Sequence, residues 1–176
     1  MPPLFGARAM SAPTWLPDWL TPTLELAPTQ QFGLAFLLGS FTVATWSDLK
    51  RLSAQREFVE IWLLFALAML GYDVWRAQGG EVSWLRVGVK WGLIGLASLL
   101  SLRPVGVLFR LAPADVAALA AAASLLTPGL VILFYTVARL LAVVAGPLLG
   151  GGRSAWPFMP VVTLATFAVL VLGWLW

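Results

Sequence analysis

The sequence predicts an all-α membrane protein, a polytopic bundle of about six transmembrane helices. Of its 176 residues, 60% are hydrophobic and only 11% are charged, whereas soluble domains carry roughly 25% charged residues. Several apolar stretches approach the length of about 20 residues that a helix needs to cross a bilayer. Tryptophans lie near the ends of these stretches, where the amphipathic indole ring favours the headgroup region. They are Trp46, Trp62, Trp75, Trp84, Trp91, Trp156, Trp174 and Trp176.

Six helices are predicted, each bounded by charged residues or by proline and glycine. They run from Gln31 to Ser47, Phe58 to Trp75, Val87 to Leu102, Ala112 to Leu126, Leu130 to Leu149 and Pro160 to Trp176. The third and fourth are short for a full span, so we expect them to be tilted or shielded by neighbours. The fourth contains the alanine-rich run from Ala117 to Ala123. Small side chains at this density allow close helix approach, which predicts a position in the middle of the bundle.

Residues 1–30 are predicted to form an irregular arm, rich in proline and tryptophan, that lies at one membrane face. The arm lacks a basic start followed by a continuous apolar core, so it does not have the pattern of a signal peptide. Residues 31–176 form the predicted helical domain. Near the end of the fifth helix, Gly146 and Pro147 precede Gly150 to Gly152, a composition typical of an ordinary flexible connector or, alternatively, of a mobile substrate gate.

Basic residues are unequally divided between the two predicted membrane faces. The connections after the first, third and fifth helices carry Lys50, Arg51, Arg56, Arg103, Arg110 and Arg153, and the opposite face carries Arg8, Arg76, Arg86 and Lys90. The positive-inside rule therefore predicts the first set of connections in the cytoplasm and both termini outside. The net charge of +3 is interpreted as loop charge of this kind, and no nucleic-acid partner is predicted.

The chain has no His and no Cys, which excludes His-based catalytic triads, HExxH metalloproteases, thiolate-bound zinc and His-ligated haem. No metal or other cofactor is predicted. Carboxyl groups are therefore the leading candidates for acid-base chemistry. Of the eight acidic residues, those expected near the inner face are Asp48, Glu57, Glu60 and Asp115.

Asp48 ends the first predicted helix, and Asp115 lies in the first turn of the fourth. The first helix runs toward the inner face and the fourth runs away from it, so both carboxyl groups lie at the same depth. They can meet provided that the two helices are neighbours. The alternative is structural: an acid beside a helix end is more often a cap or a solvated boundary residue.

Three segments resemble prepilin peptidases, which are membrane aspartic proteases of the GxGD type. WSDLKR around Asp48, with REF and IWL further along, resembles the first catalytic segment of that family. Ala112, Pro113 and Ala114 stand where the family has GxG, so the segment APAD ending at Asp115 resembles the GxGD motif. WPFMP, residues 156–160, is similar to the entrance to the family's last helix.

This resemblance implies an aspartic endopeptidase in the cytoplasmic membrane of a prokaryote. Such an enzyme would remove a short basic leader from type IV pilin-like or archaellin precursors at the cytoplasmic face, with Asp48 and Asp115 as catalytic residues. The absence of Cys and the short chain are typical of the compact form without a methyltransferase domain. Membrane lipid and the precursor proteins are the expected partners, and self-association is left open.

Two catalytic carboxyl groups must differ in pKa, because one has to take a proton from water while the other is neutral. Helix dipoles favour an anion at a helix N-terminus and disfavour it at a C-terminus. From helix position alone we expect Asp115 to be the base and Asp48 the neutral acid.

Three further charged residues are candidates for supporting roles. Glu57 and Glu60 lie one turn apart at the start of the second helix, where they either bind the basic leader or pair with neighbouring arginines in solvent. Arg139 falls near the middle of the fifth span, where it either balances a carboxylate inside the bundle or extends toward the interface.

Two other classes of protein remain open alternatives to an active peptidase. A non-catalytic membrane subunit or a small transporter would also place some acids near its faces, although transporters usually carry internal repeats, and none is visible here. The altered APAD motif is consistent with a family member that kept the fold and lost catalysis.

Overall fold

The computed structural model describes residues 26–51, 56–103, 105–150 and 157–175. The six helices in this part of the chain are α1 (Pro28–Arg51), α2 (Arg56–Gln78), α3 (Trp84–Ser101), α4 (Pro113–Ser124), α5 (Pro128–Gly150) and α6 (Met159–Leu175). The described residues contain no β-strand, and each predicted helix overlaps one observed helix. The all-α fold predicted from the sequence is therefore confirmed.

Three helices, α1, α2 and α5, are long and apolar enough to cross a membrane. Large hydrophobic side chains are exposed along them, among them Phe32, Phe36, Leu64 and Leu148, and such a surface suits contact with lipid tails. α4 has only 12 residues, so at 1.5 Å per residue it extends about 18 Å, less than the bilayer core of about 30 Å.

All twelve helix ends differ from the predicted ones by one to four residues, and two of the differences affect the predicted arm and connector. α1 begins at Pro28, so Pro28, Thr29 and Gln30 belong to the helix and not to the predicted arm. Proline is well tolerated in a first helical turn, since the N–H that it lacks would have no partner there. α5 continues through Pro147 to Gly150, beyond the predicted end. Residues 1–25 of the arm and residues 151–156 of the glycine-rich connection lie outside the described part of the chain.

The short helix α4 is the centre of the bundle, because it contacts all five other helices. Eight of its 12 residues are buried, and Ala118, Ala121, Ala122 and Ala123 are completely inaccessible. Alanine removes the bulk that would hold the surrounding helices apart. The central position predicted from the alanine-rich run is confirmed.

Side chains of α1 and α2 meet in an aromatic cluster around Trp62. Its indole is fully buried, packs edge-on against Phe41 with ring centroids 5.3 Å apart and stacks on Phe58 at 5.6 Å. The indole N–H donates a hydrogen bond of 3.2 Å to the hydroxyl of Ser40. The prediction that Trp62 anchors a helix end in the headgroup region is wrong, because the ring fills the interface between two helices.

Candidate active site

Asp48 lies in the last turn of α1 and is directed at the start of α6. Its carboxyl oxygen Oδ2 accepts a hydrogen bond of 3.1 Å from the backbone N–H of Met159, the first residue of α6. The backbone N–H of Phe158 also donates to this carboxylate. Only 6% of Asp48 is exposed. The side chain therefore caps α6 from another helix, and the positive end of that helix dipole favours its ionised form.

Asp115 lies in the first turn of α4 and interacts with the residue that precedes this helix. Ala112 is the N-cap residue, in extended conformation, and Pro113 opens the helix. The N–H of Asp115 donates to the carbonyl of Ala112 at 3.1 Å, and the N–H of Ala112 donates to the carboxylate. This is the carboxylate half of a capping box, which needs no side chain at the N-cap position. The residues of the APAD segment thus build a helix start.

The connection from α3 to α4 folds back on itself and brings a positive charge to Asp115. The N–H of Arg103 donates to the carbonyl of Leu111 at 3.3 Å, and the N–H of Leu111 donates to the carbonyl of Ser101 at 2.9 Å. Gly106, with φ of 56°, adopts the left-handed conformation that the turn requires. The Arg103 guanidinium acts on Asp115 electrostatically.

The two aspartates, remote in the sequence, act on each other in the folded chain. Asp115 lies outside the three membrane-spanning helices, and burial is the main reason why its pKa rises from 3.8 to about 7. The negative charge of Asp48 raises the pKa further, while the Ala112 amide and Arg103 oppose the rise. A carboxyl group with a pKa near 7 can hold and release a proton at neutral pH.

The surroundings of the two carboxyl groups include more than the dipoles of their own helices. Asp48 ends its own helix, but backbone amides at the N-terminus of α6 donate to it and favour its anion, while its burial opposes ionisation. Asp115 is at a helix N-terminus, but burial and the Asp48 charge outweigh this dipole. These contacts are compatible with Asp48 as the base and Asp115 as the proton donor, the reverse of the assignment expected from helix position.

The raised pKa of Asp115 has a consequence for stability. The folded protein binds more protons than the unfolded chain between pH 3.8 and about 7, so this group lowers the free energy of unfolding as pH rises through that window. Asp115→Asn removes the titration. We expect the variant to be more stable than wild type at pH 8, by roughly 1 to 3 kcal/mol after solvent screening, and to approach wild type at pH 4. Thermal unfolding in detergent at both pH values measures this difference, and an equal difference at both would contradict it.

An apolar layer covers Asp48 on the side of the α3–α4 connection. Phe109 and Phe158 are buried and meet edge-on, with ring centroids 5.3 Å apart. The Arg139 guanidinium lies 5.7 Å from the Phe109 ring centroid, within the range of a cation–π contact. Arg139 itself is exposed and lines an apolar cleft of about 330 Å³ between α3 and α5. Arg139 therefore does not face the bundle interior, and of the two predictions made for it the one inside the bundle is wrong.

Glu57 and Glu60 are exposed at the start of α2. Glu60 accepts a hydrogen bond of 2.7 Å from Arg56 Nε, and the two side chains are 61% and 89% exposed. An ion pair this exposed contributes about 0 to 1 kcal/mol, so Glu60 remains available to exchange its partner. Glu57 lies in the first helical turn, where a negative charge interacts favourably with the helix dipole and stabilises the helix.

Sequence reasoning missed three contributors to this site: the Met159 and Phe158 amides and the charge of Arg103. The WPFMP segment predicted the start of the last helix at Pro160, one residue after the observed start at Met159, but its position against Asp48 depends on the packing of α1 against α6. Among the described residues, no group of three or more carboxylates is placed to hold a metal ion.

Comparisons with known proteins add no further constraint on this site. No protein-family model matches the chain, and no curated protein or solved structure matches it. What the site does is therefore argued from its own residues.

Proposed function

We propose that the protein is a membrane aspartic endopeptidase that removes short basic leaders from type IV pilin-like or archaellin precursors at the cytoplasmic face. The observation that supports the proposal is the effect of the Asp48 charge on the pKa of Asp115. These residues belong to the two segments that resemble the catalytic motifs of prepilin peptidases. They come from different helices, and with a pKa of about 7 Asp115 can hold a proton at neutral pH, as one member of a pair of carboxyl groups must in peptide hydrolysis.

In the proposed reaction the Asp48 carboxylate takes a proton from a water molecule. The water oxygen then attacks the carbonyl carbon of the scissile peptide bond while protonated Asp115 donates a hydrogen bond to the carbonyl oxygen. As the tetrahedral intermediate breaks down, Asp115 gives its proton to the leaving amine and the C–N bond breaks. The proton that Asp48 took from water then passes to Asp115 and restores the starting state of the pair. The pair titrates as a unit, so the cleavage rate should fall both at acidic pH and at pH well above 7.

The substrate class comes from the resemblance to prepilin peptidases, and two exposed carboxylates at this end of the bundle are compatible with it. Glu57 and Glu60 lie at the exposed start of α2, which follows the helix that carries Asp48. A leader ending in Lys or Arg would replace Arg56 as the partner of Glu60. The apolar helix of a pilin-like precursor suits the apolar outer surface of the bundle.

The decisive experiment is cleavage of a defined precursor by purified protein. The full chain, in detergent or reconstituted into lipid vesicles, is incubated with a pilin-like precursor, and the products are identified by mass spectrometry. We expect leader release at a single bond. A second precursor with its basic leader residues changed to Gln should be cleaved more slowly. Intact precursor after prolonged incubation with well-folded protein would favour the catalytically degenerate family member.

Glu60→Lys tests the leader-binding role. We expect KM for the basic precursor to rise roughly two- to fivefold, the range that corresponds to an exposed charge pair, with little change in kcat. Glu81→Lys is the matched control, because Glu81 is an exposed glutamate at the opposite end of the bundle. An unchanged KM in the Glu60 variant would leave the residue with the helix-stabilising role alone.

A transporter is the second candidate, and one observation speaks for it. Asp73 and Lys90 form an ion pair of 2.6 Å between α2 and α3, with side chains only 14% and 9% exposed. Ion pairs at such sites in membrane proteins often mark transport pathways. Uptake of labelled solute by vesicles, with no cleavage of precursors, would support this alternative.

A further inference from the structure

A second cavity lies at the end of the bundle opposite the two aspartates. A cleft of about 720 Å³ lies between the first turn of α1, the C-terminal end of α2, the N-terminal end of α3 and the turn between α4 and α5. It includes Gln30, and Asp48 is 18 residues further along α1, about 27 Å at 1.5 Å per residue. The volume is within the range of about 300 to 1,000 Å³ that is typical of ligand pockets.

Positive charge prevails in this cleft. Arg76, Arg86 and Lys90 line it, together with two carboxylates. Lys90 is paired with Asp73 at 2.6 Å and Arg76 with Glu81 at 2.8 Å. Both carboxylates are therefore compensated. Arg86 has no acidic partner among the described residues, and a guanidinium is the group best suited to bind an oxyanion through paired N–H donors.

The accessible apolar part of the same cleft is formed by Met69, Tyr72 and Val82. Tyr72 is 48% exposed, whereas other apolar lining residues, such as Leu126, have almost no accessible surface. The charged part lies at helix ends, since Arg76 is in the last turn of the membrane-spanning helix α2 and Arg86 in the first turn of α3. Cations at the end of a spanning helix lie at the depth of lipid headgroups.

We infer that this cleft binds the phosphate of an anionic phospholipid, with Arg86 as the main phosphate ligand and acyl chains against Met69, Tyr72 and Val82. A lone phosphate would leave these accessible apolar side chains in contact with water, whereas a phospholipid covers them as well. The site is independent of the proposed peptidase activity.

The inference is tested by lipid binding to the purified full chain in neutral detergent. Phosphatidylglycerol is expected to raise Tm and to be retained in native mass spectra, and phosphatidylcholine with the same acyl chains is not. Arg86→Gln should weaken phosphatidylglycerol binding roughly tenfold, the loss expected for one charge-assisted contact at an exposed side chain. Arg110→Gln is the matched control, because Arg110 is an exposed arginine in the α3–α4 connection near the other end, and it should bind like wild type.

Two results would overturn the inference. Equal retention of the two lipids, or equal weakening in the Arg86 and Arg110 variants, would mean that no specific phosphate site exists. Glycerol 3-phosphate is added as a competitor in a separate arm. If it binds as tightly as phosphatidylglycerol, and Arg86→Gln weakens both, the cleft serves a soluble phosphate ester and not a lipid.

Discussion

Asp48→Asn and Asp115→Asn are each expected to reduce the rate of leader cleavage by about 10³-fold or more, the upper range of what one acid-base group contributes. Asn keeps the size of Asp but cannot take a proton from water or donate one to the leaving amine. Because the two groups act on one reaction, the double variant should lose little more than either single variant.

The controls separate loss of chemistry from loss of fold. Asn at position 48 can still accept a hydrogen bond from Met159, which preserves the start of α6, and Asn at 115 can still accept one from Ala112. Both variants should therefore retain helical circular dichroism and a cooperative thermal transition. Glu81→Gln, at the far end of the bundle, should cleave at the wild-type rate. Normal cleavage by either Asn variant would remove that residue from the mechanism.

Trp62→Ala is expected to lower the free energy of unfolding by about 3 to 5 kcal/mol, the usual cost of truncating a large buried aromatic residue. The indole is completely inaccessible, contacts Phe41 and Phe58, and donates to Ser40. Removal of the indole leaves a cavity between α1 and α2, and the Ser40 hydroxyl loses the N–H group that donated to it.

Trp75→Ala provides the comparison on the same helix. Trp75 is 62% exposed, so we expect its truncation to change the free energy of unfolding by less than about 0.5 kcal/mol. Unfolding of both variants in the same detergent measures the difference. Similar losses in the two variants would show that Trp62 is not the main contact between α1 and α2.

Most of the fold could be predicted from local properties of the chain. Helices follow from apolar runs bounded by charge, proline and glycine, because a backbone without water must satisfy its hydrogen bonds internally. The central place of α4 followed from its alanines for a similar local reason. Trp62 shows where such reasoning fails: an indole near a helix start suits the headgroup region and a helix interface equally, and only the packing partner distinguishes the two.

Asp48 and Asp115 were chosen from the sequence because a chain without His has few other groups for acid-base work, and their catalytic role stays a prediction. The assignment of Asp115 as the base and Asp48 as the neutral acid rested on the dipole of each residue's own helix. A rule based on each residue's own helix could not include the α6 amides that face Asp48 or the burial of Asp115.

The sequence by itself indicated that this chain folds into apolar helices. Because it has no His and no Cys, it also indicated carboxyl groups as the candidates for acid-base chemistry, with Asp48 and Asp115 as the predicted pair. The contacts of these groups across the bundle, the pairing of Asp73 with Lys90 and the position of Arg86 beside the opposite cleft were decided only by the tertiary structure. The physical reason is the separation along the chain of the residues that determine each property. Helix formation depends on neighbours a few residues away, whereas the electrostatics of a buried group depends on every element packed against it, however distant in the chain.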